Sequence, residues 1–250
     1  MKAYFFNLTK WKSLLFMGTA VVIAGLFFTS ALYRSPLTKP VLGEAAQPVY
    51  KIKTNKKVAA LTFNVSWGTR VTNSVLETLK TKEVKATFFV SGSWAKKYPE
   101  LARRLADEGH EVASYGNRQI NLSAEGRAVI REEIDRSRQQ IKEATGTVPS
   151  LLRPPYGDWS EAVVDIAAAE GCTLIQWSVD SLDIQTPGVS PIVNNVVKKI
   201  HPGAIVMMSA SDTASQTPEA LPKVIEGLKA EGYHLVTVQE LLKTGPAVVD

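Results

Sequence analysis

Apolar residues along this chain fall into two rhythms. From Val58 onward, short and nearly unbroken apolar runs occur at Val58 to Val65, Ala86 to Ser91, His110 to Ser114, Ser150 to Arg153, Thr173 to Val179, Ala204 to Met208 and His234 to Val238. Between them the apolar positions recur at helical spacing, over 71–81, 95–108, 124–144 with Ser123 as the N-cap, 161–170, 192–200 and 219–231. The runs predict strands covered on both faces, and the intervening stretches predict amphipathic helices. Gly109, Gly146, Gly171 and Gly232 each follow a predicted helix, where a left-handed residue is wanted. Strand and helix in alternation predict a parallel α/β sheet, open or closed into a barrel, that fills 51–250 as one domain.

The first 50 residues follow neither rhythm. Lys2, Lys10 and Lys12 precede an uncharged run from Ser13 to Tyr33, which as a helix rising about 1.5 Å per residue would span roughly 31 Å, one hydrocarbon core. A cleaved signal peptide has a shorter apolar region, and the best small-x-small site here, Thr29-Ser30-Ala31, lies inside the run. The expectation is an uncleaved signal anchor over 13–33, a cytoplasmic tip over 1–12, a linker over 34–50, and the remainder outside the cell membrane.

Composition narrows the function. At 250 residues, 45% hydrophobic and 21% charged, the chain is neither disordered, collagen-like nor multi-span. Of its net charge of +5, four lie at the N-terminus, where residues 1–50 hold five basic groups and one acidic, while 51–250 holds 24 and 23. A nearly neutral domain with no recognition motif predicts no nucleic-acid partner. One cysteine, Cys172, excludes an intramolecular disulfide and a thiolate-built metal site. The three histidines, His110, His201 and His234, all stand near predicted strand beginnings.

In parallel α/β folds the chemistry sits beyond the carboxyl ends of the strands. The loops there read Asn64-Val65-Ser66-Trp67-Gly68, Ser91-Gly92-Ser93-Trp94, Tyr115-Gly116-Asn117-Arg118-Gln119, Arg153-Pro154-Pro155-Tyr156-Gly157-Asp158-Trp159, Asp180-Ser181-Leu182-Asp183 and Ser209-Ala210-Ser211-Asp212. Aromatic faces beside small polar groups suit a sugar ring. No Gly-x-Ser-x-Gly elbow, His-Glu-x-x-His pair or phosphate loop is present.

These loops, in this order, resemble the polysaccharide deacetylase family, the group with the NodB homology domain. The resemblance runs from about Lys57 to Leu242 and rests on Leu61-Thr62-Phe63, Lys85 to Val90, Gly109-His110-Glu111-Val112, Arg153 to Gly157, Trp177-Ser178-Val179-Asp180 with Asp183, and Gly232-Tyr233. The first-loop form and the Ser-Ala-Ser-Asp segment at 209–212 resemble the membrane-anchored, sporulation-associated branch. The resemblance implies an irregular (β/α) barrel of about seven parallel strands. It implies hydrolysis of N-acetyl groups on peptidoglycan or chitin, with a divalent metal, commonly zinc, held by one aspartate and two histidines. A second aspartate serves as base and a further histidine as acid.

Carried over position by position, that machinery is missing. The base falls on Asn64 and the carboxylate ligand on Val65, with Ser66 the nearest hydroxyl; the histidine ligands fall on Tyr115 and Gln119, and the acid on Ser209. The supporting residues remain: the resemblance pairs Arg153 with the base, and Asp180 or Asp183 with the acid. With both partners gone, the expectation is that Arg153 pairs directly with Asp180 or Asp183, since a buried guanidinium without a carboxylate is costly. No cofactor is expected. Substrate-groove candidates are Trp67, Trp94, Tyr115, Arg153, Pro154, Tyr156, Trp159 and Asp180. Three functions stay open: a pseudoenzyme binding N-acetylated cell-wall glycan, a deacetylase with weak or metal-free activity, and a protein-interaction scaffold.

Overall fold

The computed structural model describes residues 47–249. The predicted tip 1–12, the anchor 13–33 and the linker as far as residue 46 lie outside them, and among the described residues no helix is long and apolar enough to cross a membrane. The elements in chain order are β1 (Lys51–Ile52), β2 (Val58–Val65), α1 (Arg70–Thr81), β3 (Thr87–Val90), α2 (Gly92–Lys97), α3 (Pro99–Asp107), β4 (Glu111–Ser114), α4 (Arg127–Thr145) and β5 (Leu151–Leu152). They continue with α5 (Glu161–Ala169), β6 (Thr173–Leu174), β7 (Val179–Asp180), α6 (Val189–Val197), β8 (Ala204–Ser209), α7 (Thr217–Ala230), β9 (His234–Val236), α8 (Val238–Leu242) and β10 (Ala247–Val248).

One curled sheet runs β10-β1-β8-β2-β3-β4-β5-β6, with β7 also on β8 and β9 also on β2. The pairs from β2 to β9 are parallel, and only β1 with its neighbours β10 and β8 is antiparallel. A bridge between Val49 and Ile175 links the chain entering β1 to the chain leaving β6. The predicted linker boundary at residue 50 is therefore too late, because buried Val49 already belongs to the sheet. Strand alternation sorts the core. Along β2, Ala59, Leu61, Phe63 and Val65 pack in the outer layer with α1 and α7 residues such as Leu76 and Val224, while Ala60 lies in the inner cluster with Phe89, Ile175 and Ile205. Thr62 and Asn64 share the parity of Ala60 and so face the interior.

Four predicted elements end elsewhere, each for a local reason. The helix predicted over 95–108 is two, because Pro99 opens α3 and holds Tyr98 out of helical geometry (φ −128°, ψ 59°). Ser123 does not cap a helix from 124; extended Gly126 does so for α4, and Ser123 instead donates its backbone N–H and hydroxyl to Asp158. The run Thr173 to Val179 is interrupted because the carbonyls of Ile175 and Gln176 turn to Arg153 rather than to a neighbouring strand. This division supplies the additional parallel strand beyond the seven expected. The final strand stops at Val236, since Thr237 and Glu240 form a capping box that starts α8. The β1–β10 pairing has two residues on each side, too few for a periodic signal.

At the opposite end from the loops, His110 accepts a hydrogen bond from the Ala86 N–H and packs edge-on to Phe88. Burial, with a smaller push from Lys85, lowers its pKa from 6.5 to about 4. The unfolded chain takes up this proton first, so the stability of the neutral form is complete above pH 6.5 and is lost as pH falls toward 4. The urea midpoint is expected to drop between pH 7 and pH 5, and His110→Gln is expected to flatten that drop.

Candidate functional site

The carboxyl ends of β2, β4, β7 and β8 open onto a cavity of about 420 Å³. Its floor and walls include Asn64, Ser66, Tyr115, Gln119, Asp183, Ser209 and Ser211, and its rim carries Trp67, Tyr156, Trp177 and Ile184. Trp67 is 63% exposed, Tyr156 64% and Ile184 60%, an unusual outlay of large apolar surface around one opening. Each is held by local structure. Trp67 precedes Gly68, whose positive φ of 71° leaves no room for a Cβ beside Asp212. Asp212 in turn accepts from the Val71 N–H at the start of α1 and donates its own N–H to the Trp67 carbonyl. Tyr156 stands in the left-handed region (φ 60°), takes the Tyr115 hydroxyl as acceptor for its N–H at 3.4 Å, and donates its own hydroxyl to the Gln119 carbonyl at 3.4 Å. Such strain in a non-glycine residue costs on the order of 1 kcal/mol or more and marks a positioned side chain.

Arg153 lies beneath the cavity and is fully buried. Its Nη1 donates to Thr62 Oγ1 and Asn64 Oδ1, both at 2.9 Å, its Nη2 to the Gln176 carbonyl at 3.0 Å and its Nε to the Ile175 carbonyl at 3.3 Å. The guanidinium also stacks 4.0 Å from the Phe89 ring centre. Among the described residues no carboxylate approaches within 4.0 Å, so the expected direct pairing with Asp180 or Asp183 does not form. The physical reason is that four neutral acceptors already occupy its donors. Burial pushes the Arg153 pKa down to about 9, against the pull of Tyr115 and Asp180, and it still carries its proton at neutral pH.

Asp183 is likewise buried, at 3% exposure. Its Oδ2 accepts from the Ser209 N–H at 2.8 Å and from the Thr217 hydroxyl at 2.6 Å. Burial raises its pKa, and the bonds from Thr217, Ser209 and Ser181 restrain that rise. Asp180 is only half-buried and spends Oδ1 on the Leu182 N–H. Of the two acidic candidates, Asp183 is the one in the cavity wall.

Other residues singled out in the sequence stand apart. Trp94 is not at the groove: it is buried in the outer core, and its Nε1 donates to the Gly68 carbonyl, bracing the turn behind Trp67. Trp159 packs on the cluster between α4 and α5 and donates to the Tyr50 hydroxyl. Pro154 is buried and lines no part of the cavity. Trp177, Ile184 and Met207 line it without having been candidates. Trp177 lies inside the apolar run Thr173 to Val179 that predicts a strand, and an isoleucine in a polar loop carries no signal of its own.

The residues at the positions implied for a divalent cation do not fit one. Val65 is wholly buried in the outer core and has no ligand atom. Burial raises the pKa of the Tyr115 hydroxyl and so disfavours the phenolate. Gln119 presents a buried Nε2 with no partner, a donor rather than a lone pair. A zinc site needs carboxylate, thiolate or neutral imidazole, and among the described residues no group of three or more such side chains is gathered.

A sequence model described as polysaccharide deacetylase matches residues 51–175. Over 196 residues the chain is 35% identical to YlxY of Bacillus subtilis, an uncharacterized protein, covering 78% of this chain and 60% of that one. Over 192 residues it is 31% identical to a peptidoglycan-N-acetylglucosamine deacetylase of Bacillus cereus, covering 76% and 70%. The chain thus spans less than two thirds of the first relative's length. Its fold superposes with a TM-score of 0.76 and 34% identity on BA3943 of Bacillus anthracis, described as a CE4 family pseudoenzyme, covering 83% of this chain and 72% of that one. A mutant of BA3943, described as having restored enzymatic activity, superposes with the same TM-score of 0.76.

Proposed function

We propose that this chain, which belongs to the polysaccharide deacetylase family, binds N-acetylated, peptidoglycan-like glycan in its cavity without hydrolysing it, and does so from a single-pass membrane anchor at 13–33 that leaves the domain facing the wall. The observation that carries the reading is the combination, in one cavity, of exposed ring faces at Trp67 and Tyr156 with the absence of base, acid and ligand chemistry at Asn64, Ser209, Tyr115 and Gln119, Val65 being turned away into the outer core. A glycan ring needs flat apolar surface and a few aimed polar groups, and both are present. The unpaired Gln119 amide can donate, or turned over accept, toward a sugar oxygen. Amide hydrolysis needs an activated water and a proton for the leaving amine, and at neutral pH an asparagine and a serine supply neither.

The purified protein incubated with N-acetylglucosamine oligomers and divalent metals is expected to release no acetate above the blank. It is expected to sediment with purified peptidoglycan, and Trp67→Ala or Tyr156→Ala is expected to weaken that binding by about tenfold, the effect of one stacked ring. Acetate release by the unaltered protein would overturn the reading. The anchor is tested by alkaline extraction of membranes: the protein should stay in the pellet, and a chain lacking 13–33 should not.

A further inference from the structure

The cavity wall carries a buried carboxyl group with no cationic side chain beside it. Asp183 is buried, its Oδ2 accepts from the Ser209 N–H and the Thr217 hydroxyl, the Ser181 hydroxyl is a further neutral partner, and no lysine, arginine or histidine among the described residues lies within 4.0 Å. No cationic side chain lines the cavity. Arg153, beneath the cavity, is covered completely and turned to Thr62, Asn64 and two carbonyls. Ser209, whose N–H donates to Asp183, has a short neutral side chain and brings no cation to it. The same cavity is lined by Trp67, Tyr115, Tyr156 and Trp177. A carboxylate within an aromatic enclosure is the chemistry that selects an ammonium over a neutral amide, because ring faces and carboxylate both attract positive charge away from water.

Resting on the groove-binding reading, we propose that the sugar unit seated in this cavity is a hexosamine whose nitrogen has already lost its acetyl group, so that the protein recognises the ammonium-bearing product of N-deacetylation. The strand around it stays N-acetylated; one unit is read by its charge. The reaction that must supply this ligand is hydrolysis of an N-acetyl group by a separate, active enzyme: water adds across the amide, acetate leaves, and the amine takes a proton. The ammonium donates toward Asp183 and the hydroxyls of Ser209 and Ser211, and the ring faces of Trp67 and Trp177 flank it. An acetamide at the same place supplies one N–H donor and no charge, and leaves Asp183 unbalanced.

The test is calorimetric binding of the purified full chain to two tetramers, β-1,4-linked glucosamine and β-1,4-linked N-acetylglucosamine, with a lysine tetramer as a control for charge alone. The glucosamine tetramer is expected to bind about tenfold tighter than the acetylated one, the scale of one desolvated cation–ring and carboxylate contact. The lysine tetramer is expected not to compete. Asp183→Asn, which keeps an oxygen for Ser209 and Thr217, should bring the ratio of the two affinities toward one. Equal binding of both tetramers by the unaltered protein, or tighter binding of the acetylated one, overturns this inference while leaving groove binding intact. Comparable binding of the lysine tetramer also overturns it. Binding of neither sugar overturns the groove reading itself. Should Asp183→Asn fail to fold, the contrast between the tetramers on the unaltered protein decides.

Discussion

Arg153→Ala is expected to lower the stability of the domain by about 3–5 kcal/mol, the usual cost of deleting one partner from a buried charged network, read as a shift in the urea midpoint. The side chain is the largest of those fully buried among the described residues, and it ties β2 to the segment that follows β6 through Thr62, Asn64, Ile175 and Gln176. Alanine would strand these acceptors without donors and leave a void beside Phe89. The opposite change is expected at Asn64. Asn64→Asp sets a carboxylate where Oδ1 already lies 2.9 Å from the guanidinium, and is expected to stabilise by about 1–2 kcal/mol, as a charge-assisted bond replaces a neutral one. The paired carboxylate would titrate below its unfolded value. The gain should therefore be full above the unfolded pKa and vanish as pH falls through the folded one. If Asn64→Asp proves neutral or destabilising at pH 7, Arg153 does not lack a counter-charge.

The same residue marks how far the sequence could be read. Fully apolar runs and helical periodicity made the alternating parallel architecture legible, because strands covered on both faces and helices over a sheet impose distinct spacing. The loops were legible by order, so Asn64, Tyr115, Gln119 and Ser209 could be placed on a cavity before their geometry was known. What sequence could not reach was the direction of a side chain at a strand end. Val65 follows Asn64 directly and by alternation turns into the outer core, while Trp94, one turn into α2, turns inward to hold Gly68. Neither fact has a compositional trace. The pairing expected for Arg153 failed for a related reason: charge balance suggested a carboxylate, but the carbonyls of Ile175 and Gln176 were invisible as acceptors because the run containing them read as continuous strand. Ile184 is a further case, exposed on a turn between the left-handed residues Leu182 and Thr186, where only backbone geometry shows that it overhangs the cavity.

Returning ligand chemistry to the loops is expected to have the largest effect of any change to this chain. The triple variant Val65→Asp, Tyr115→His, Gln119→His places ligand side chains at the three implied positions, and because Val65 now faces the outer core, zinc must draw the end of β2 round so that residue 65 meets the cavity; with that turn the variant is expected to retain one equivalent of zinc after dialysis, where the unaltered protein retains none. Its stability gives an independent readout. Asp at position 65 must enter a site that is now 0% exposed, so the metal-free triple variant should melt below the unaltered protein. Zinc should then stabilise it by about 4 kcal/mol at a thousandfold excess over its dissociation constant. Metal alone should not produce catalysis, because Asn64 still cannot take a proton and Ser209 cannot deliver one. Acetate release is expected only when Asn64→Asp and Ser209→His are added. The supports for those two residues are already in position, Arg153 at 2.9 Å from the atom that would become carboxylate and Asp183 at 2.8 Å from the Ser209 backbone. A five-residue variant that holds zinc and still releases no acetate would place the loss of activity in the shape of the cavity rather than in the missing groups. Release by the triple variant alone would show that Asn64 and Ser209 were not limiting.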